Sequence, residues 1–166
     1  TDNDAMGMDQ SLILSVNDVN DIPVITSAAS FNSDENQTSV DKATATDEDG
    51  DILSYSLSGT DSSSFSIDAS SGELSFNTAP DYETKTSYAL TVNASDGTLS
   101  DSQSLVINVV NINDNTPVIT SASSLSADEN QKAVATVSYS DADGALGTYT
   151  FSLSGNDSSA LSINSS

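Results

Sequence analysis

Acidic side chains are concentrated in five short stretches of this chain, each at a predicted strand end or in a predicted loop. The stretches are Asp34-Glu35-Asn36, Asp47-Glu48-Asp49-Gly50-Asp51, Asp81-Tyr82-Glu83, Asp96-Gly97 and Asn111-Ile112-Asn113-Asp114-Asn115. Asp81 and Glu83 are two residues apart, so on an extended backbone both side chains point to the same side. Carboxylate and amide oxygens grouped in this way suit a hard divalent cation, which takes roughly six to eight oxygen ligands.

The composition excludes most other chemistry. The chain has 166 residues, with 25 Asp and Glu against three Lys, no His and no Cys, and a formal net charge of −22. Thiolate or imidazole zinc sites and Ser-His-Asp or Cys-His catalysis are therefore impossible within it. Three lysines cannot neutralise nucleic-acid phosphates or hold the chain on an anionic membrane. We expect no nucleic-acid partner, no direct membrane insertion and no enzymatic activity in this segment.

An internal repeat indicates the domain organisation. The motif Pro23-Val24-Ile25-Thr26-Ser27 recurs 94 residues later as Pro117-Val118-Ile119-Thr120-Ser121, and further motifs recur at almost the same offset. A period of this length suits a small β domain repeated in tandem. The predicted parts are the C-terminal end of a preceding repeat (1–21), a complete domain (22–115) and the truncated N-terminal half of a following repeat (116–166). The chain is expected to be a piece of a longer protein. The truncated half-repeat is expected to fold poorly in isolation, because it lacks its last strands.

Short stretches of alternating apolar and polar residues within the complete domain predict half-buried strands. Glycine-containing turns separate them. The predicted strands lie near residues 24–30, 40–46, 52–58, 65–68, 73–76, 87–95 and 102–112. About seven strands in such a domain indicate an all-β, immunoglobulin-like Greek-key sandwich.

Several motifs, in a fixed order, resemble those of the cadherin repeat, and in particular the bacterial cadherin-like form found in large surface and secreted proteins. The motifs are Asp34-Glu35-Asn36, Asp81-Tyr82-Glu83, Ala94-Ser95-Asp96-Gly97, Asn111-Ile112-Asn113-Asp114-Asn115-Thr116-Pro117 and Asp141-Ala142-Asp143-Gly144. Two departures stand out. The first linker, residues 18–23, is one residue short and lacks the final Asn, and the second linker opens with Asn111 where the family has Asp.

The resemblance implies Ca²⁺ at the junctions between successive repeats. At the second junction it implies the ligands Glu35, Asp81 and Glu83 from the complete repeat, the carbonyl of Ile112 with Asn113, Asp114 and Asn115 from the linker, and Asp141 and Asp143 from the next repeat. At the first junction it implies Asn20, Asp21, Asp47, Asp49 and Asp96. Six carboxylates converging at the second junction would repel one another by roughly 5 kcal/mol, which a divalent cation can offset.

The other acids are expected only to solvate the surface and to cap turns. They are Asp9, Asp41, Asp61, Asp68, Asp101 and Asp157.

By this resemblance, the predicted function is a Ca²⁺-stiffened spacer or adhesive repeat of an extracellular protein. It would be secreted, or anchored to the cell surface or outer membrane through regions outside this segment. Its expected partners are the neighbouring repeats of the same chain. Another cell-surface protein or a polysaccharide is a further candidate partner. Adhesion by Trp exchange is not expected, because the chain has no Trp.

Two alternatives stay open. The first is a carbohydrate-binding module, although Tyr55, Tyr88 and Tyr139 are in phase with core positions and only Tyr149 is ambiguous as a sugar platform. The second is a glycosidase using Asp81 and Glu83 as paired carboxylates, although a seven-strand sandwich predicts no deep pocket.

Overall fold

The computed structural model describes residues 11–144 and 146–164, and its architecture is almost entirely β. The strands of the complete repeat are β1 Val24–Ile25, β2 Ser30–Asp34, β3 Ser39–Lys42, β4 Ala45–Thr46, β5 Ser54–Ser58, β6 Phe65–Ile67, β7 Glu73–Phe76, β8 Ser87–Ser95 and β9 Ser100–Val110. Two short strands follow, β10 Val118–Ile119 and β11 Tyr139–Ser140, and two 3-10 turns span Ser62–Ser64 and Ser158–Ala160. Among the described residues, no helix has the length and apolar character needed to cross a membrane.

The strands of the complete repeat form a sandwich, which confirms the predicted all-β fold. One sheet has the order β2-β9-β8-β5 and the other has the order β3-β7-β6. The strands β2 and β9 pair in parallel, whereas the other pairs are antiparallel. Because β2 and β9 run in the same direction, Asp34 at the end of β2 lies beside Val110 at the end of β9. The segments that follow these two strands therefore leave the sandwich at the same end.

The core lies between the two sheets. Alternate residues of β8 and β9 are buried, as the sequence alternation predicts: Leu90, Val92, Ala94, Leu105, Ile107 and Val109. They share the core with aromatic residues of the smaller sheet, where the rings of Phe65 and Phe76 are 4.3 Å apart between centroids. Tyr88 contacts both rings edge-on. Burial of such side chains contributes about 1.5–3 kcal/mol each to folding.

Two predicted strands are each divided in the structure. The predicted strand 24–30 becomes β1, which pairs with β4 in a separate two-stranded sheet, and its last residue begins β2, which continues to Asp34 and pairs with β9 in the four-stranded sheet. The predicted strand 40–46 divides in the same way into β3 and β4. Alternation records which face of a strand is buried and does not record its pairing partner, so this change of sheet was not predictable from the pattern.

Gly72 fixes the break between β3 and β4. Its carbonyl accepts the N–H of Ala43, and its φ of +78° is in the left-handed region. A Cβ at this position would lie 2.3 Å from the carbonyl oxygen of Ala43. Since no side chain fits there, the close approach of the turn to the chain at Ala43 requires glycine.

The expectation that Asp61 and Asp101 only solvate the surface is wrong. Asp61 Oδ1 lies 2.6 Å from Lys85 Nζ, and Asp61 Oδ2 accepts the N–H of Ala89. The hydrogen bond from Lys85, followed by that from Ala89, lowers the pKa of Asp61. Asp101 Oδ2 accepts the N–H of Ile25 at 2.9 Å and so joins β9 to β1. Both acids therefore contribute to the fold.

Replacement of Asp101 by Ala is expected to reduce the free energy of unfolding by about 1–2 kcal/mol, because the N–H of the buried Ile25 loses its acceptor. The loss should be equal in calcium and in EDTA, and urea denaturation followed by tyrosine fluorescence would measure it. Asp41→Ala is the matched control, since Asp41 accepts the N–H of the adjacent Lys42. Equal stability of the two variants would contradict this assignment.

Tyr139 differs from its predicted core position, since it is 41% exposed. Its ring contacts those of Tyr149 and Phe151, with centroids 4.6 and 5.5 Å apart. The counterpart of Tyr139 in the complete repeat is Ala45, which packs against the core.

Candidate metal centre

Four carboxylates from distant parts of the sequence meet at one end of the complete repeat. They belong to Glu35, Glu83, Asp114 and Asp143, and each offers an oxygen within 4.8 Å of the others. Glu35 follows β2, Glu83 lies between β7 and β8, and Asp114 follows β9. Asp143 comes from the loop after β11, in the following repeat. We call this cluster, with the linker 111–117, the downstream junction.

Glu35 is held in place by backbone donors. It is 2% exposed, and its Oε2 and Oε1 accept the N–H groups of Tyr82 at 2.8 Å and Ile112 at 2.9 Å. The next residue, Asn36, has a φ of +64° and donates its side-chain amide to Asp114. Glu35 therefore ties the end of β2 both to the loop before β8 and to the linker.

Asp143 is the second buried acid, at 3% exposure. Its Oδ2 accepts the N–H groups of Asp114 at 3.0 Å and Asn115 at 2.7 Å, and its Oδ1 accepts Nδ2 of Asn115 at 2.7 Å. Desolvation raises the pKa of Asp143, but these hydrogen bonds outweigh it and lower the pKa below its ordinary value. The carboxylate is therefore held in its charged form against the linker.

Glu83 differs from Asp143, because its surroundings raise its pKa instead of lowering it. Desolvation raises its pKa, and the negative charges of Glu35 and Asp143 raise it further. The nearby Asp81 instead accepts hydrogen bonds from the hydroxyl and N–H of Thr84, and the hydroxyl bond is the main cause of its lowered pKa. Asp81 is not one of the four clustered carboxylates, although it interacts with Glu83.

Two oxygens at the downstream junction are fully enclosed without a hydrogen-bond partner in the described part of the chain. They are Oδ2 of Asp141 and Oδ1 of Asn111. Buried oxygens are almost always paired, so these two need an explanation. Enclosed oxygens without a hydrogen-bond partner, in a region rich in carboxylates, suit a hard cation such as Ca²⁺ as ligands. Asn111 was not among the predicted ligands. The sequence marks it only as the position where the linker has Asn and the cadherin repeat has Asp.

The upstream junction, formed by the linker 18–23 and the loop 47–51, has a second cluster. Asp47, Asp49 and Asp51 offer oxygens within 4.8 Å of one another. Oδ1 of Asp47 accepts the N–H groups of Asp49 and Asp51, whereas its Oδ2 is enclosed and unpaired among the described residues. Asp51 was not among the predicted ligands.

The structure brings the first linker to its predicted partners. The N–H of Asp21 donates to Asp49 Oδ2 at 2.6 Å, and Nδ2 of Asn20 donates to Asp96 Oδ2 at 2.8 Å. The hydrogen bond from Asn20 is the main cause of the lowered pKa of Asp96. In the second linker, Ile112 is half-buried and Asn113 is exposed.

The sequence of this chain is similar to those of known cadherins. The family model for the cadherin domain matches residues 27–113. The chain is 41% identical over 100 residues to Protocadherin Fat 1 of Homo sapiens, covering 55% of this chain and 2% of that protein. It is 40% identical over 119 residues to Protocadherin-23 of Homo sapiens, covering 66% of this chain and 4% of that protein. The chain thus spans a few per cent of the length of these relatives.

Solved structures of cadherin repeats also align with this chain. The crystal structure of mouse Cadherin-23 EC22-24 aligns with a TM-score of 0.67 and 28% identity, over 86% of this chain and 51% of that one. A crystal structure of human Protocadherin-24 EC1-2 aligns with a TM-score of 0.59 and 25% identity, over 76% of this chain and 62% of that one.

Proposed function

The chain belongs to the cadherin family, and from that premise we propose that its acidic clusters bind Ca²⁺ and stiffen the junctions between successive repeats of an extracellular adhesion or spacer protein. The proposed downstream ligands are Glu35, Asp81, Glu83, Ile112 (carbonyl), Asn113, Asp114, Asn115, Asp141 and Asp143. The proposed upstream ligands are Asn20, Asp21, Asp47, Asp49 and Asp96. Asn111 and Asp51 join these sets because of their positions in the structure.

One observation carries the proposal: the cluster of Glu35, Glu83, Asp114 and Asp143 unites acids of two successive repeats. Four charges form six pairs, and at such distances each pair repels by about 1 kcal/mol even in water-like surroundings. A whole domain is stable by only about 5–15 kcal/mol. Lys85, one of three lysines, pairs with Asp61 instead. A cluster this costly is expected to have a counter-ion.

In this proposal, hydrogen bonds within the chain hold the metal ligands in position. The backbone hydrogen bonds to Glu35 fix one wall of the site, and the linker bonds to Asp143 bring the next repeat against it. A bound Ca²⁺ would supply the positive charge that lets these carboxylates approach. Because the ligands come from both repeats, binding would restrict rotation about the linker.

The domain boundaries follow the same proposal. Residues 22–115 are the complete domain, 1–21 end a preceding repeat and 116–166 begin a following one. Anchoring to a cell surface or secretion would depend on regions outside this segment. The complete repeat reads Asp49-Gly50-Asp51 where the cadherin repeat has an extra residue and then Asn. This difference is common in the bacterial cadherin-like form and supports it, although the relatives named above are animal proteins.

The carbohydrate-binding alternative receives no support from the aromatic rings of the half-repeat. The positions equivalent to Tyr139 and Phe151 in the complete repeat are Ala45 and Tyr55, which pack against the core. There the hydroxyl of Tyr55 accepts the N–H of Ala45 at 3.0 Å. These two rings therefore stand at positions that the complete repeat uses for its core, so they do not indicate a sugar platform.

Calorimetric titration with Ca²⁺, combined with solution scattering before and after chelation, tests the proposal. The chain should bind Ca²⁺ and become more extended and less variable in shape. Asp114→Ala should weaken binding at least about tenfold, since a charged ligand typically contributes more than 1.4 kcal/mol. Glu73→Ala, which removes an exposed acid of β7 outside both clusters, should bind as the unsubstituted chain does. The proposal would be refuted if the chain did not bind Ca²⁺, or if both variants weakened Ca²⁺ binding equally. It would also be refuted if the dimensions measured by scattering were the same with and without Ca²⁺.

A further inference from the structure

Residues 141–144, which we call the acidic turn, are followed by two residues that the complete repeat does not have. Up to the acidic turn the two repeats are offset by 94 residues, whereas Ser56-Leu57-Ser58-Gly59 recurs 96 residues later. Tyr149 follows the added residues, and by the offset of 96 it corresponds to Leu53. The hydroxyl of Tyr149 therefore has no counterpart in the complete repeat.

This hydroxyl is bonded to the acidic turn. It donates a hydrogen bond to the carbonyl of Gly144, the last residue of the turn. Within the turn, the N–H of Gly144 donates to the carbonyl of Asp141 at 3.2 Å, and the N–H of Asp143 donates to Asp141 Oδ1 at 3.0 Å. The acidic turn is thus closed by its own hydrogen bonds, and Tyr149 adds one bond at its end.

The ring of Tyr149 is held beside the acidic turn. It is half-buried, and its centroid lies 4.6 Å from that of Tyr139, in the strand that precedes the turn. Desolvation raises the pKa of Tyr149, and the negative charge of Asp141 raises it further, so the phenol and this carboxylate are close together. Tyr149 therefore connects the strand before the acidic turn with the last residue of the turn.

The segment between the acidic turn and Tyr149 also reaches the linker. A Cβ on Gly147 would lie 3.5 Å from Oδ1 of Asn113 and 3.6 Å from the ring of Tyr149. Asp143 is bonded to the same linker through its carboxylate. The position of the acidic turn therefore decides how Asp141 and Asp143 stand relative to the linker.

We propose that Tyr149 is a positioning residue of the downstream metal site, whose hydroxyl fixes the acidic turn so that Asp141 and Asp143 reach the same cation. The inference rests on the proposed Ca²⁺ site and adds to it a residue outside its ligands. Oδ2 of Asp141 is enclosed and has no hydrogen-bond partner among the described residues, so its direction depends on the turn. A turn that is held in one geometry beforehand loses less conformational entropy when the cation binds. Without the hydroxyl, Asp141 should leave the cation more often, and water should take its place.

Tyr149→Phe tests this role, because it removes the hydroxyl and keeps the ring. The chain used also carries Asp49→Asn and Asp51→Asn, which weaken the upstream cluster, so that binding reports the downstream site. Calorimetric titration should show about fivefold weaker Ca²⁺ binding, the usual effect of losing one hydrogen bond between neutral groups. Luminescence lifetimes of bound Tb³⁺ in H₂O and D₂O count the water ligands, and they should show about one additional water.

Tyr139→Phe is the matched control. It removes a hydroxyl from the other ring of the pair, and that hydroxyl has no hydrogen bond among the described residues. It should leave the Ca²⁺ affinity and the number of water ligands unchanged. Amide exchange in EDTA monitors the fold of the half-repeat, because the N–H of Thr120 bonds to the carbonyl of Ser138 and should exchange at the same rate in every chain.

Equal Ca²⁺ affinity and equal hydration of Tb³⁺ in Tyr149→Phe and Tyr139→Phe would overturn the role of Tyr149 and leave the Ca²⁺ site intact. Faster exchange of the Thr120 amide in Tyr149→Phe would also overturn it, because the hydroxyl would then support the whole half-repeat and not the acidic turn. If the chain with both tyrosines and the two Asn substitutions did not bind Ca²⁺, the downstream site itself would be refuted, and the role of Tyr149 with it.

Discussion

Glu35→Ala is expected to destabilise the complete repeat in EDTA as well as in calcium. The substitution leaves the N–H groups of Tyr82 and Ile112 without their acceptor. Each hydrogen bond to a charged group contributes about 1.5–3 kcal/mol, whereas removing Glu35 relieves three repulsive pairs in the cluster and returns about 3 kcal/mol. The net loss in EDTA should therefore be roughly 1–2 kcal/mol, and it should be larger in calcium because a ligand is also removed.

Urea denaturation followed by tyrosine fluorescence, in EDTA and in excess calcium, would measure both losses. Glu73→Ala serves as the control and should change the free energy of unfolding by less than about 0.5 kcal/mol in either condition. If Glu35→Ala matched the control in EDTA, Glu35 would be a ligand without a structural role, and the two backbone hydrogen bonds would contribute nothing to stability.

Glu83→Gln is expected to change stability with opposite signs in the two conditions. In EDTA the substitution removes a carboxylate whose pKa is raised by desolvation and by the charges of Glu35 and Asp143, so the melting temperature should rise slightly. In calcium it removes a ligand. Binding at about 100-fold excess over Kd stabilises a folded protein by about 2.7 kcal/mol per site, and most of that gain should disappear.

Differential scanning calorimetry of the chain with and without calcium would show this crossing of the two melting temperatures. Glu73→Gln provides the matched change of charge away from the clusters and should shift both temperatures equally. A Glu83→Gln chain that melts lower than the unsubstituted chain in EDTA, or that keeps its full stabilisation by calcium, would contradict the role assigned to Glu83.

The raised pKa of Glu83 also fixes the direction of the pH dependence in EDTA. A carboxyl whose pKa is raised on folding binds its proton more tightly in the folded protein, so it favours folding at low pH and opposes folding once both states are ionised. Asp143, with its lowered pKa, acts in the opposite sense. The difference between Glu83→Gln and the unsubstituted chain should therefore shrink as Glu83 becomes protonated.

Local patterns in the sequence predicted much of the fold. The alternation around Leu90 and Leu105 gave the faces of β8 and β9 correctly, because a strand exposes its two faces in strict succession. The 94-residue repeat indicated which acids lie at the ends of a module. The family motifs led to the residues of the downstream cluster, with Asp81 beside it and not in it.

Contacts between distant segments could not be read in the same way. The division of the first predicted strand into β1 and β2 depends on which neighbour each half pairs with. The role of Asp101 depends on the N–H of a residue 76 positions away. Asn111 looked like a loss of a ligand, whereas its amide bonds to Asp143 and its oxygen is enclosed.

The sequence by itself therefore determined the class of fold, the repeat and the acidic chemistry of this protein, because residue type, alternation and spacing act over short stretches of chain. The tertiary structure decided which acids are buried, which oxygens lack partners and which linker groups bond to Asp143. Burial and hydrogen-bond geometry arise only when segments far apart in sequence meet, as Glu35 and Asp143 do across the downstream junction.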